Sequence, residues 1–141
     1  MLKISSADYA KIRFEGEKSY PNEGCGILIG ASNGGNRQVT LVVACDNVAA
    51  SPLNRYDIPA KQIVDASKLA RARNESIVGC YHSHPDHPAQ PSATDLEQAF
   101  WFDCSYVITR VAGGNAEETR SFALLGSMET KALEGEEIEI L

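Results

Sequence analysis

The chain has 141 residues, enough for one compact domain, and its 43% hydrophobic and 23% charged content supports a packed core rather than disorder. A net charge of −6, with no run of Lys or Arg, excludes the basic surface that nucleic-acid backbones demand. No apolar run reaches membrane-spanning length, and MLKISSADYA lacks the apolar centre and small-residue cleavage pattern of a secretory signal. The expected setting is therefore cytoplasmic, with Cys25, Cys45, Cys80 and Cys104 as buried thiols rather than disulfides or zinc ligands.

In chain order, Ser5 or Ser6 caps a first helix with Asp8 in its first turn, running to about Lys18. Pro21 and Gly24 bound a turn, and Gly26 to Gly30 reads as a buried strand. The Ser32-Asn33-Gly34-Gly35-Asn36 turn returns it along Gln38 to Cys45. Asp57 and Pro59 open a second helix, in which Ile63, Ala66 and Ala70 fall at helical spacing, ending near Asn74. Ser76 to Tyr81 is an apolar strand, followed by a loop with Pro85, Pro88 and Pro91, and a third helix starts around Ser92. Tyr106 to Thr109 and Thr119 to Leu125 form a hairpin around Gly113-Gly114-Asn115, and Glu136 to Leu141 is a last edge strand. That strand offers an edge for pairing between subunits, so a homodimer is open. Hairpins interleaved with helices favour an α+β fold with a mixed, mostly antiparallel sheet flanked by helices.

The chemistry concentrates between Tyr81 and Asp95. His82 and His84, at i and i+2 of an extended segment, project to the same side, and Pro85 biases His84 toward an extended backbone. Asp95 lies in the first turn of the helix that follows, where a carboxylate is favoured in its ionised form. Two imidazoles and one carboxylate make an open three-ligand zinc site, with a fourth position left for water. Such a site needs a base, for which Glu15, Glu17, Glu23, Asp86 and Glu97 are candidates. Glu23 stands out because Gly24-Cys25-Gly26 would let its carboxylate approach a neighbouring strand. Ser92-x-x-Asp95 is also a helix capping box.

These residues, Glu23, His82-Ser83-His84-Pro85, Ser92 and Asp95, resemble the signature of the JAMM, or MPN+, metallopeptidases, and the loop wording His84-Pro85-Asp86-His87-Pro88 is most similar to the short bacterial members. The resemblance implies a cytidine-deaminase-like α/β/α arrangement as a single domain. It implies one Zn2+ per chain on His82, His84 and Asp95, Glu23 as general base, and Ser92 as a hydrogen-bond donor to the tetrahedral oxyanion. The implied reaction is hydrolysis after the C-terminal glycine of a ubiquitin-like or sulfur-carrier protein ending in Gly-Gly.

Other readings weighed against this one are a non-catalytic MPN scaffold, which usually lacks a ligand, and a zinc peptidase for cell-wall or phage-tail peptides. A thiol protease would need a histidine base, yet both candidates are committed to metal. A nucleoside deaminase would need H-x-E and P-C-x-x-C, which are absent. His87 reads as a surface or substrate-facing residue, and Phe100-Trp101-Phe102 as an aromatic closure of the core.

Overall fold

The computed structural model describes residues 1–141. Its elements are β1 (Leu2–Ile4), α1 (Ser6–Ser19), β2 (Cys25–Asn33), β3 (Asn36–Cys45), α2 (Ala60–Ala72), β4 (Ser76–Pro85), α3 (Ala93–Gln98), β5 (Ser105–Ala112), β6 (Asn115–Leu125), β7 (Ala132–Glu136) and β8 (Ile138–Ile140). The eight strands form one sheet in the order β7-β6-β5-β4-β2-β3-β1-β8. The β2–β3, β2–β4, β5–β6 and β6–β7 pairs are antiparallel, and the β4–β5, β1–β3 and β1–β8 pairs are parallel. This is the mixed, mostly antiparallel α+β sheet the sequence implies. No helix is long and apolar enough to cross a membrane.

Each helix covers a different apolar surface. On one face, Ile12 of α1 packs with Leu2, Ile4, Leu28, Val42, Tyr81 and Val107. On the other, Ala66 and Ala70 of α2 pack with Cys25, Ile27 and Ile29. Ser5 caps α1 by accepting from the Asp8 backbone N–H at 3.1 Å, as its sequence indicates. The segment Gly24-Cys25-Gly26 owes its small residues to this packing rather than to the carboxylate before it. A Cβ on Gly24 would lie 2.6 Å from Ser19 Oγ, and one on Gly26 would lie 2.3 Å from the Tyr81 ring.

Three elements differ from the sequence expectation. β1 lies in what reads as a leader to the first helix: three residues are too few to show a periodicity. β4 runs to Pro85, not Tyr81, because residues 79–85 pair along their whole length with β5. The end of the chain is two strands rather than one. β7 pairs with β6 at one edge of the sheet and β8 with β1 at the other, so a single residue, Glu137, links the two edges. The sheet thus curls back on itself, and the C-terminal edge open to another subunit is only three residues long.

A buried ion pair fastens this closure. Arg37 on β3 donates to Glu136 Oε1 at 2.7 Å, and Ser105 and Ser121 donate to Glu136 Oε2 at 2.6 and 2.7 Å. Burial would raise the Glu136 pKa, but the two serine hydroxyls and Arg37 outweigh it and hold the carboxyl below its usual range. Removing one partner strands the other charge in the interior. Glu136→Ala should therefore cost about 3 kcal/mol, or roughly 10 °C in Tm for a chain of this size, in a thermal melt.

Candidate active site

The parallel β4–β5 pair dictates where the site forms. Parallel neighbours cannot be joined by a tight turn, so residues 86–104 must cross over from the end of β4. That crossover carries Ser92, Asp95 and α3 back over the C-terminal end of β4, where His82 and His84 lie. Alternation along β4 puts both imidazoles on the α2–α3 face, while Tyr81 and Ser83 point toward α1.

The three side chains converge. His82 Nε2 and His84 Nε2 are 3.0 Å apart, and Asp95 Oδ2 lies 3.2 Å from the first and 3.0 Å from the second. A tetrahedral ion with ligand distances of roughly 2.0–2.1 Å would separate its donors by about 3.3 Å, so the spacing suits a single metal ion. The tautomers support the same conclusion. His84 Nδ1 is 2.8 Å from the Pro88 carbonyl, which can only accept, so Nδ1 carries a proton. A neutral His84 then turns its Nε2 lone pair on the Asp95 carboxylate, a repulsion that a cation removes.

Burial and hydrogen bonding set the proton affinities of the three donors. Burial lowers the His82 pKa. Burial also works against a charge on His84, but the hydrogen bonds to Asp95 and Pro88 prevail and raise its pKa. Burial likewise opposes ionisation of Asp95, yet both histidines and the Ser92 backbone N–H hold its carboxyl far below the usual range. Metal and proton therefore compete for the same lone pairs, and binding releases protons.

Glu23 sits beside this group. It is 5% exposed, and its Oε1 is buried without a hydrogen-bond partner. Burial is the main reason its pKa is pushed up to about 8; His84 pulls it down and Asp95 pushes it up. Its position is set through the backbone. The Gly24 N–H donates to Ser83 Oγ at 2.8 Å and the Ser83 N–H to the Gly24 carbonyl at 3.0 Å, which lashes the residue after Glu23 to the strand between the two histidines. Asn47 Nδ2 donates to the Glu23 carbonyl at 2.9 Å and also to the Arg55 carbonyl at 2.9 Å, tying Glu23 to the loop before α2. Of the other candidate bases, Glu15 pairs with Lys18, Glu17 accepts from the Ala116 N–H, and Asp86 accepts from the Tyr20 hydroxyl and the Gly113 N–H. Glu97 is exposed on α3, outside the small cleft lined by Glu23, His84 and Ser92.

Ser92 forms the capping box with Asp95. Its Oγ accepts from the Asp95 N–H at 3.0 Å, and its own N–H donates to Asp95 Oδ2 at 2.9 Å. The cap uses a lone pair of the hydroxyl and leaves its O–H free to donate elsewhere.

Two openings flank the three donors. A groove of about 590 Å³ is lined by Tyr56, Ile58, Cys80, Phe100, Trp101 and Tyr106 among others, and the Tyr56 ring stacks on His82 with centroids 4.3 Å apart. A smaller cleft of about 370 Å³ is lined by Glu23, His84, His87, Pro88, Gln90 and Ser92. His87 is exposed and lies outside the donor group. The aromatic cluster divides its work: Trp101 and Phe102 pack against Cys80 and Tyr106, while Phe100 is 53% exposed on the groove. All four cysteines are free, and burial pushes the Cys25 thiol up to about 12, which leaves it unsuited to nucleophilic attack.

Sequence reading missed Asn47 and Tyr56, and it named Ser83 only as part of the His82-Ser83-His84-Pro85 run, without its role. Each acts between segments distant in the chain.

A mixed sheet between helices, with two strand histidines meeting an aspartate at a helix N-terminus, defines a JAB-type domain with a candidate metal centre. The chain belongs to the family of prokaryotic homologs of the JAB domain, whose description it matches over residues 5–125. It is 39% identical over 88 residues to a desampylase of Haloferax volcanii, covering 62% of each chain. It is 36% identical over 81 residues to a probable TtuB-protein conjugate cleaving protease of Thermus thermophilus, covering 57% of this chain and 51% of that one. The matched stretch thus spans less than two thirds of either relative. Over 114 residues it is 26% identical to a CysO-cysteine peptidase of Mycobacterium tuberculosis, covering 81% of this chain and 76% of the relative. A solution structure from Desulfitobacterium hafniense superposes with a TM-score of 0.84 at 27% identity, covering 100% of this chain and 93% of that one. A JAB1/MPN domain protein from Archaeoglobus fulgidus shares the fold, with a TM-score of 0.62 at 17% identity over 99% and 98% of the two chains.

Proposed function

We propose that this chain is a zinc-dependent peptidase that hydrolyses the bond after the C-terminal glycine of a ubiquitin-like or sulfur-carrier protein. The observation that carries the reading is the buried, unpartnered carboxylate of Glu23 beside three converging metal donors. Relatives named for cleaving such conjugates support the substrate class.

His82, His84 and Asp95 would hold the ion. When bound, it supplies a Lewis acid for the scissile carbonyl and brings the pKa of water down toward roughly 7. Glu23 Oε1, with no competing donor, takes the proton from the attacking water and hands it to the leaving amine. The free O–H of Ser92 donates to the developing oxyanion. The apolar groove between the loop before α2 and the end of α3 receives the extended tail, with Tyr56 as its wall next to His82. The reading includes a cytoplasmic setting, which four free thiols suit.

The test is cleavage of a carrier ending in Gly-Gly, extended by one residue, by the zinc-loaded protein and its loss on chelation. A zinc-loaded protein that leaves every such carrier intact overturns the reading. Within it, Ser92→Ala should lower kcat by roughly a hundredfold. The same change should cost only about 1 kcal/mol in stability through loss of the cap. Normal kcat in a destabilised variant would confine Ser92 to capping.

A further inference from the structure

We infer that Asp86 is a positioning residue for the metal centre: clamped by Tyr20 and Gly113, it holds the turn whose Pro88 carbonyl orients the His84 imidazole. The inference rests on the metal-centre reading above and concerns how the second histidine is kept aimed.

Three residues other than glycine have a left-handed backbone: Asn74 at φ 56°, Asp86 at φ 58° and Asp103 at φ 60°. Only Asp86 lies between the metal donors, directly after the end of β4. Aspartate tolerates this conformation better than most side chains do. The Asp86 N–H still donates to the Val111 carbonyl of β5 at 2.8 Å, and there the chain turns away from the sheet.

Both carboxylate oxygens of Asp86 are engaged. Oδ2 accepts from the Tyr20 hydroxyl at 2.6 Å, and Oδ1 accepts from the Gly113 N–H at 2.8 Å. Tyr20 closes α1 and precedes Glu23 by one turn, while Gly113 lies between β5 and β6. One side chain thus joins the segment of the base, the loop of the metal donors and a turn of the sheet. Asp86 is exposed and fills no core space, so these bonds are what it contributes.

The clamp fixes the short stretch that leads to Pro88. The Pro88 carbonyl accepts from His84 Nδ1 at 2.8 Å and from the Gln90 N–H at 2.8 Å. On its far side Ala89 is anchored in the core with Ile108 and Phe122. On its near side the anchor is Asp86. The backbone of His84 is held by its pairing with Arg110 on β5, but the acceptor on Nδ1 decides where the ring turns Nε2. A displaced carbonyl would swing that nitrogen away from His82 and Asp95. His82 is held differently: its Nδ1 is buried without a partner, and its ring stacks on Tyr56. Of the two histidines, His84 is the one that depends on the loop.

Zinc affinity, measured on the metal-free protein in competition with a chelator of known affinity, tests this. Tyr20→Phe removes one hydroxyl, 66 positions away from Asp86 in the chain. It should weaken zinc binding by about threefold. Asp86→Gly keeps the left-handed backbone without strain and removes the clamp, and should weaken binding by roughly tenfold. In Asp86→Asn the amide can accept from the Gly113 N–H and donate to the Tyr20 hydroxyl oxygen, so affinity should stay within about twofold of wild type. Adding Tyr20→Phe to Asp86→Gly should cost nothing further, since both break the same contact. By NMR of the metal-free protein, the His84 Nδ1–H proton should exchange faster in Tyr20→Phe and Asp86→Gly than in wild type. Wild-type affinity in either of those two variants, whatever happens to Tm, overturns the inference. So does a loss in Asp86→Asn equal to that in Asp86→Gly, because the ion would then be sensing a charge rather than a clamp. Both outcomes leave the metal centre intact. Zinc binding that His84→Ala does not weaken overturns the inference and the metal-centre reading together.

Discussion

Glu23→Gln should retain the metal and lower kcat by about a thousandfold, since an amide cannot take up a proton from water. The change is nearly isosteric, and its carbonyl contact with Asn47 is made by the backbone, so the fold and the three donors are undisturbed. Metal content and turnover on one preparation check this, and full activity would remove Glu23 from the mechanism. The same variant carries a stability signature. In the unfolded chain Glu23 ionises near 4.5, whereas in the folded metal-free protein burial pushes its pKa up to about 8. Between those values the unfolded state gives up a proton that the folded state keeps, so stability falls as pH rises through that window. The wild type should lose stability relative to Glu23→Gln from pH 4.5 to 8, on the order of a few kcal/mol, and the two should converge in acid. Parallel curves from chelator-treated denaturation at several pH values would show that the carboxyl is not held in its neutral form.

The second large effect is on Asp95→Asn. The amide oxygen can still accept from the Ser92 N–H, so the helix start should survive at a cost of about 1 kcal/mol or less. What disappears is the negative charge shared by His82 and His84, and metal affinity should fall by roughly a hundredfold or more. Competition with a chelator of known affinity measures the loss. Affinity within a few-fold of wild type would mean that Asp95 caps α3 without serving as a ligand.

How much of this could be seen in the sequence follows from the range of the interactions. His82, His84 and Pro85 signal through strand alternation, and Ser92 with Asp95 through helix capping, and both are local. The fold class was legible for the same reason, since the α1 cap, the turns at Gly34-Gly35 and Gly113-Gly114, and the helical spacing in α2 each lie within a few residues. The elements that escaped depend on distant partners. Leu2–Ile4 is a strand only because β3 and β8 flank it, and β7 only because β6 pairs with it. Glu23 could be singled out among five carboxylates by its glycine-rich neighbours, but the glycines serve Ser19 and Tyr81 instead. The residues that hold Glu23 in place, Ser83 and Asn47, act across 59 and 24 positions of the chain; Ser83 was legible only as a member of the His82-Ser83-His84-Pro85 run, without its role, and Asn47 left no pattern to read.

Diffraction at the zinc absorption edge from crystals of the zinc-loaded protein tests the central claim most directly. One anomalous peak per chain is expected, at about 2.0–2.2 Å from His82 Nε2, His84 Nε2 and Asp95 Oδ2, with the Glu23 carboxylate outside bonding distance. A peak elsewhere, none at all, or one coordinated by Glu23 in place of Asp95 would contradict it.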